Sequence, residues 1–270
     1  MKQLLGLSLF VLAAAAVSAG IARAEEPVEP IRVLFVTGGG WHDFDTQKDL
    51  IAEGLSERIH VDVTIDYEAG NRADFEPTRF REESWIEGFD IVIHSHGLTN
   101  IPDHDSVAAR IADAHRDSGV PAILIHNTFH SLRDSDQWHE FAGVVSRRHE
   151  SNRPRELRNL APDHPIMRDF GETWKPATVE LYIIEDVSPG IVPLADCYGE
   201  DTGRRHITHW THQYGKARVF GTTIGHDNRA VGDPVFLDTL ARAVLWATEM
   251  LDEDGGPLPQ WDRSLGADGR

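Results

Sequence analysis

The chain has 270 residues, a formal net charge of -18, 40% hydrophobic residues and a single cysteine. So acidic a chain is a poor partner for nucleic acid and for anionic membrane surfaces. One cysteine excludes an intramolecular disulfide and a cysteine-built metal cluster, and the balance suits a soluble protein with a neutral or cationic partner.

Residues 1–24 read as a secretory leader. Lys2 is followed by a long apolar run and by Ala22-Arg23-Ala24, an A-x-A site with cleavage expected before Glu25. The apolar run, roughly 17 residues, is short for a membrane span. No stable membrane insertion is expected, and the expected address is the periplasm or the extracellular space. Residues 25–30 form a short linker, and residues 31–251 read as one α/β domain. Residues 252–270 are a polar, turn-rich tail, loose or draped on the surface.

Within the domain, IRVLFVTGG (31–39) is a β-branched strand candidate ending in glycines. FDTQKDLIAEGLSER (44–58) follows as a helix, with Leu50, Ile51, Gly54 and Leu55 on one face. VDVTIDYEA (61–69) alternates as a half-buried strand. FDIVIHSHG (89–97) and VPAILIHNT (120–128) are near-continuous apolar runs, as parallel strands buried on both faces should be. Between them, DSVAARIADAHRDSG (105–119) has an aspartate start and a glycine stop. SDQWHEFAGVV (135–145) is a further helix candidate, and TVELYIIED (178–186) and ARVFGTTIG (217–225) are strands. DPVFLDTLARAVLWATEML (233–251) is the clearest helix, with proline in its first turn. Strands alternating with helices predict a doubly wound, mostly parallel sheet in a flavodoxin-like three-layer sandwich.

Parallel strands end on one edge, where such folds bind ligands. The segments after four of the apolar runs each carry histidine: His42 with Asp43, His94 and His96, His126 followed by His130, and His226 with Asp227. Imidazoles converging there could bind a metal, shuttle protons or hydrogen-bond a polar substrate. Asp43 and Asp227 would orient them or complete a coordination shell. Acyl transfer is disfavoured, because no G-x-S-x-G elbow is present and Cys197 is read as a small buried residue. Gly38-Gly39-Gly40 lacks both the dinucleotide and the P-loop spacing, so no nucleotide cofactor is expected.

VLFVTGGGWHDF, GVPAILIHNTFHSL, APDHPIMRDF, VELYIIEDV and GKARVFGTTIGHDNRAVGDPVFLDTLARAVLWA together resemble the ThuA-like (trehalose utilisation) family, from about Ile31 to Thr248. The resemblance implies a class I glutamine amidotransferase-like fold in which His126 replaces the amidotransferase cysteine, so glutamine hydrolysis is not expected. It implies a role in sugar metabolism, especially of disaccharides oxidised to 3-keto forms, and a divalent metal, zinc foremost, as in some members. Carried onto this chain, its motif positions are His42, Asp43, His126, Glu180, Tyr182, His226 and Asp227. The chain departs at Val179, where an acid is common, and in the histidine-rich HITHWTHQY around His209 and Trp210.

The expected catalytic set is therefore His126, Glu180, His42, Asp43 and His226. Trp41, Tyr182, Trp210 and Asp227 are expected to bind the sugar or glycoside, and His42, His126 and His226 to hold the metal. The leading reading is an exported sugar hydrolase, lyase or isomerase. A non-catalytic carbohydrate-binding protein using the same crevice is the alternative.

Overall fold

The computed structural model describes residues 28–263 apart from 71 and 75, so the expected leader lies outside the described residues. In chain order the elements are β1 (Ile31–Gly39), α1 (Phe44–Arg58), β2 (Val61–Glu68), β3 (Ile91–Gly97), α2 (His104–Ser118), β4 (Ala122–Ile125), α3 (Asp136–Ala142) and β5 (Val144–His149). They continue with β6 (Leu157–Asn159), β7 (Thr173–Trp174), β8 (Tyr182–Val187), β9 (Val192–Gly199), β10 (Arg204–Tyr214), β11 (Ala217–Thr222), the single turn α4 (Asn228–Val231) and α5 (Pro234–Ala247).

A nine-stranded sheet runs β2-β1-β3-β4-β11-β10-β9-β6-β7. β2, β1, β3, β4 and β11 are parallel, and β10, β9, β6 and β7 then continue antiparallel. Strand alternation divides the apolar runs between two cores. Val33, Phe35, Ile91, Ile93 and Ile123 face α1 and α5. Leu34, Val36, Val92 and Leu124 face α2 and α3. The result is the expected three-layer α/β sandwich.

The helix ends follow their capping residues. Asp43, Asp103 and Asp233 accept backbone N–H bonds at the starts of α1, α2 and α5, and Gly119 closes α2 in the left-handed conformation. β9 and β10 were not among the expected elements. β10 carries polar and aromatic residues in turn and has register shifts near His209, so its sequence shows no clean apolar alternation. β5 and β8 pair apart from the main sheet, which sets His149 opposite Tyr182. The start of the tail is docked: His60 N–H donates to the Trp261 carbonyl at 2.9 Å, and Arg263 N–H to that of Arg58 at 3.0 Å. No helix among the described residues is long and apolar enough to cross a membrane.

Candidate functional site

Three parallel strands place the site. β1 closes on Gly39, whose φ of 105° and approach to the Gly97 backbone of β3 leave no room for a Cβ. Trp41 and His42 follow. β4 ends at Ile125, and His126 turns the chain into a 3-10 turn with φ of 47°. That is a strained strand-to-helix elbow with an imidazole at its apex. Past β11, Gly225 at φ 140° lets the chain pass His126 and present His226. Glu180 sits just before β8.

His42, His126 and His226 each offer a ring nitrogen, all within 4.8 Å of one another. His42 Nδ1 is 3.1 Å from the His226 carbonyl, and His126 Nδ1 is 2.7 Å from the Thr223 carbonyl. Each Nδ1 therefore donates, and each Nε2 keeps its lone pair. His126 Nε2 and His226 Nδ1 are buried without a hydrogen bond. Both lie 3.4 Å from Glu180 Oε2, while Glu180 Oε1 is 3.3 Å from His149 Nδ1.

Burial, then the neighbouring His126 and His226, push the His42 imidazole down to about 3. Burial alone would raise Glu180, but His126 and His226 hold it well below the usual carboxylate range. Glu180 in turn raises His226. The site thus combines a neutral imidazole, a carboxylate ionised at neutral pH and an imidazole biased towards its charged form.

A cavity of about 370 Å³ opens over these groups, walled by Trp41, Asn127, His130, Arg133, His149 and Tyr182 among others. Tyr182 and His130 stack with ring centroids 3.9 Å apart and planes 1° from parallel. Across the His42–His226 ridge a second hollow of about 330 Å³ reaches Asp43, Asp227 and Arg229. A larger hollow, about 470 Å³, surrounds Pro121, Lys216 and Met250 at the amino ends of the strands, away from the imidazoles.

His42, His126, His226, Glu180, Tyr182 and Trp41 are thus brought together, but His126 lies beneath the cavity rather than in its wall. Asp43 and Asp227 sit at the rim as helix caps. Asp43 accepts from Thr46 N and Asn228 Nδ2, and Asp227 from Arg229 N, Ala230 N and Thr178 Oγ1. Trp210 is not a crevice residue: it is fully buried, with Nε1 donating to the Ala142 carbonyl at 3.0 Å. It pairs with Gly221, and any side chain there would strike its indole. Neither His94 nor His96 faces the crevice. β3 continues to Gly97, so both belong to the strand face packed under α2, where His94 Nε2 is 3.0 Å from His115 Nε2.

His149, Arg133, Asn127 and Thr99 were not anticipated. His149 depends on the β5–β8 pairing, for which RRHES carries no pattern. Burial pushes the Cys197 thiol up to about 11, and it lies in the core.

Residues 32–247 match the profile of the ThuA family, described as trehalose utilisation. No curated protein sequence matches the chain. Among solved structures, a putative ThuA-like protein of Parabacteroides merdae aligns with a TM-score of 0.66 at 17% identity, over 87% of this chain and 97% of its own. One from Bacteroides uniformis gives 0.57 at 12% identity, over 85% and 96%. A putative GMP synthase subunit from Thermoplasma acidophilum gives 0.54 at 11% identity, over 82% and 98%, a likeness of fold alone. The chain belongs to the ThuA trehalose utilisation family and has its glutamine amidotransferase-like fold.

Proposed function

We propose that this chain is an exported enzyme of carbohydrate metabolism that acts on a keto-sugar or glycoside by hydrolysis, elimination or isomerisation. The crevice over His42, His126 and His226 is its active site. The observation that carries the reading is the pair of buried ring nitrogens, His126 Nε2 and His226 Nδ1, that make no hydrogen bond beside a third imidazole. Buried polar atoms seldom stay unsatisfied without a purpose. Imidazoles oriented through backbone carbonyls, with lone pairs converging, fit a divalent cation. His42 suits this, because only neutral imidazole coordinates, and His226, raised by Glu180, would give up its proton on coordination.

His42, His126 and His226 would hold the ion, zinc foremost, and it would polarise a carbonyl or hydroxyl oxygen of the substrate as a Lewis acid. The other steps fall to the chain's own groups. Glu180, ionised and half enclosed, is the candidate to take a proton alpha to a carbonyl or from a hydroxyl. His149, with 44% of its side chain exposed, touches the other oxygen of that carboxylate and connects it to solvent. Trp41, 66% exposed, offers an aromatic face to a sugar ring, whereas Tyr182, expected to do the same, is 1% exposed with its ring stacked on His130 and backs the wall instead. The family description supports a carbohydrate substrate, and the leader-like residues 1–24 support export.

The test is turnover. Protein purified without chelator is incubated with 3-keto-disaccharides and simple glycosides, and products are followed by NMR. Glu180→Gln is expected to lower the rate about a hundredfold or more. Undiminished turnover in that variant would exclude Glu180 as the proton carrier. Saturable binding with no turnover on any compound would favour a carbohydrate-binding protein.

A further inference from the structure

The acidic chain holds its cations in pairs. Among the described residues every arginine but one has a carboxylate or a backbone carbonyl on its guanidinium. Arg58 sits on Asp238, Arg155 on Glu150, Arg242 on Asp169, and Arg204 on the Ile184 carbonyl. The same holds for the rest. The exception is Arg133, for whose guanidinium no hydrogen bond or ion pair to a described residue is found; its backbone bonds His139. It is half-buried and lines the cavity over the imidazoles.

Its surroundings leave it so. The adjacent acid, Asp134, is turned away and pairs with His104 at 3.2 Å. Glu180, the one carboxylate in the cavity wall among the described residues, faces His126, His149 and His226. Leu132, wholly buried at φ 49°, anchors the turn that carries Arg133. A half-buried guanidinium has given up part of its hydration and has received no protein partner in return. In a chain of charge -18, with acids in excess of bases, an unpaired cation needs a reason.

The form of the cation narrows the anion. A guanidinium presents a planar fork that matches a carboxylate with two parallel hydrogen bonds. Among the described residues no lysine and no second arginine lines this cavity, as a doubly charged phosphate ester would call for. Building on the carbohydrate reading above, we infer that the substrate is a sugar acid, with its carboxylate on Arg133 and its hydroxyls towards Asn127, the imidazoles and Glu180. Chain-wide charge suggests a neutral or cationic partner, but Arg133 sets an unpaired positive charge in the cavity wall, apart from the Glu180 carboxylate that faces the imidazoles. The acidic surface then discourages other anions, and Arg133 rewards the one that fits.

The experiment is calorimetric titration of the full protein, purified without chelator, with D-glucuronate, D-gluconate, the methyl ester of D-glucuronate, D-glucose and D-glucose 6-phosphate. Wild type, Arg133→Gln and Arg133→Lys are compared, with melting temperatures expected to match because the Arg133 guanidinium holds no partner. At least one sugar acid is expected to bind tenfold or more tighter than the ester and glucose, and to weaken with salt. Arg133→Gln should remove that advantage and leave glucose binding unchanged, while Arg133→Lys retains part of it. Equal affinity for acid, ester and glucose overturns the inference and leaves the carbohydrate reading standing. So does acid binding that is unaltered in Arg133→Gln. Glucose 6-phosphate binding tighter than every sugar acid overturns the carboxylate assignment. No binding of any of the five compounds overturns the carbohydrate reading and this inference together.

Discussion

His126 Nδ1 lies 2.7 Å from the Thr223 carbonyl oxygen, 97 residues further along the chain. The bond ties the end of β4 to the end of β11, its parallel neighbour, and fixes which nitrogen of His126 carries the proton. Nε2 is left facing Glu180 with a free lone pair. The elbow that supports a nucleophile in related α/β architectures here supports a fixed imidazole, strained at φ 47°. Trp41 in the crevice wall and the buried Leu132, next to the wall residue Arg133, also have positive φ, so strain is concentrated around the crevice.

Gly225 keeps this arrangement possible. A Cβ there would lie 3.0 Å from both His126 Cβ and Ile125 Cγ2, at a φ of 140° that side chains avoid. Gly225→Ala should cost about 2 kcal/mol in denaturant unfolding and displace the His126 ring. Loss of divalent-ion affinity by at least tenfold is expected with it, read by titration of the folded variant. Stability and affinity equal to wild type would show that the close approach does not matter.

Two tryptophans separate core from crevice. Trp210→Phe removes the Nε1–Ala142 bond and should cost about 1–3 kcal/mol, with sugar binding unchanged. Trp41, 66% exposed beside His42, should behave the other way. Trp41→Ala is expected to change stability by less than about 1 kcal/mol and to weaken sugar binding. Paired melting and titration curves check both, and weaker sugar binding in Trp210→Phe would restore it to the site.

Acid should destabilise the fold through histidines remote from the crevice. Burial pushes His96 and His209 down to about 3 and His115 to about 4, and His94, beside His115, is also lowered. Their unfolded value is near 6.5, so between that and the folded value the unfolded chain binds more protons. Stability is then fully present above about pH 6.5 and is lost as pH falls towards the folded values, by about 1.4 kcal/mol per pH unit for each histidine. Urea unfolding at pH 7.5 and pH 5.5 should differ by several kcal/mol, and His209→Gln should reduce the difference. A flat profile would contradict it.

The parallel half of the sheet was legible because strands such as FDIVI and VPAILI are apolar throughout and their helices carry caps and stops. Convergence of His42, His126 and His226 followed from that alone. His94 and His96 misled because the strand runs four residues beyond the apolar run, and only pairing with β1 and β4 shows it. Trp210 lay in a strand without apolar alternation, so its face could not be assigned. His149 and Arg133 reach the cavity through a two-strand ribbon and a strained turn, which depend on tertiary contacts rather than on local pattern.

The most direct measurement is the metal content of the purified protein by elemental mass spectrometry, in wild type, His42→Ala, His126→Ala and the remote control His209→Gln. The account predicts about one equivalent of a divalent ion, zinc foremost, in wild type and in the control, and its loss from both crevice variants. Wild-type protein that holds no ion even after equilibration with zinc, or crevice variants that keep the ion, would contradict it.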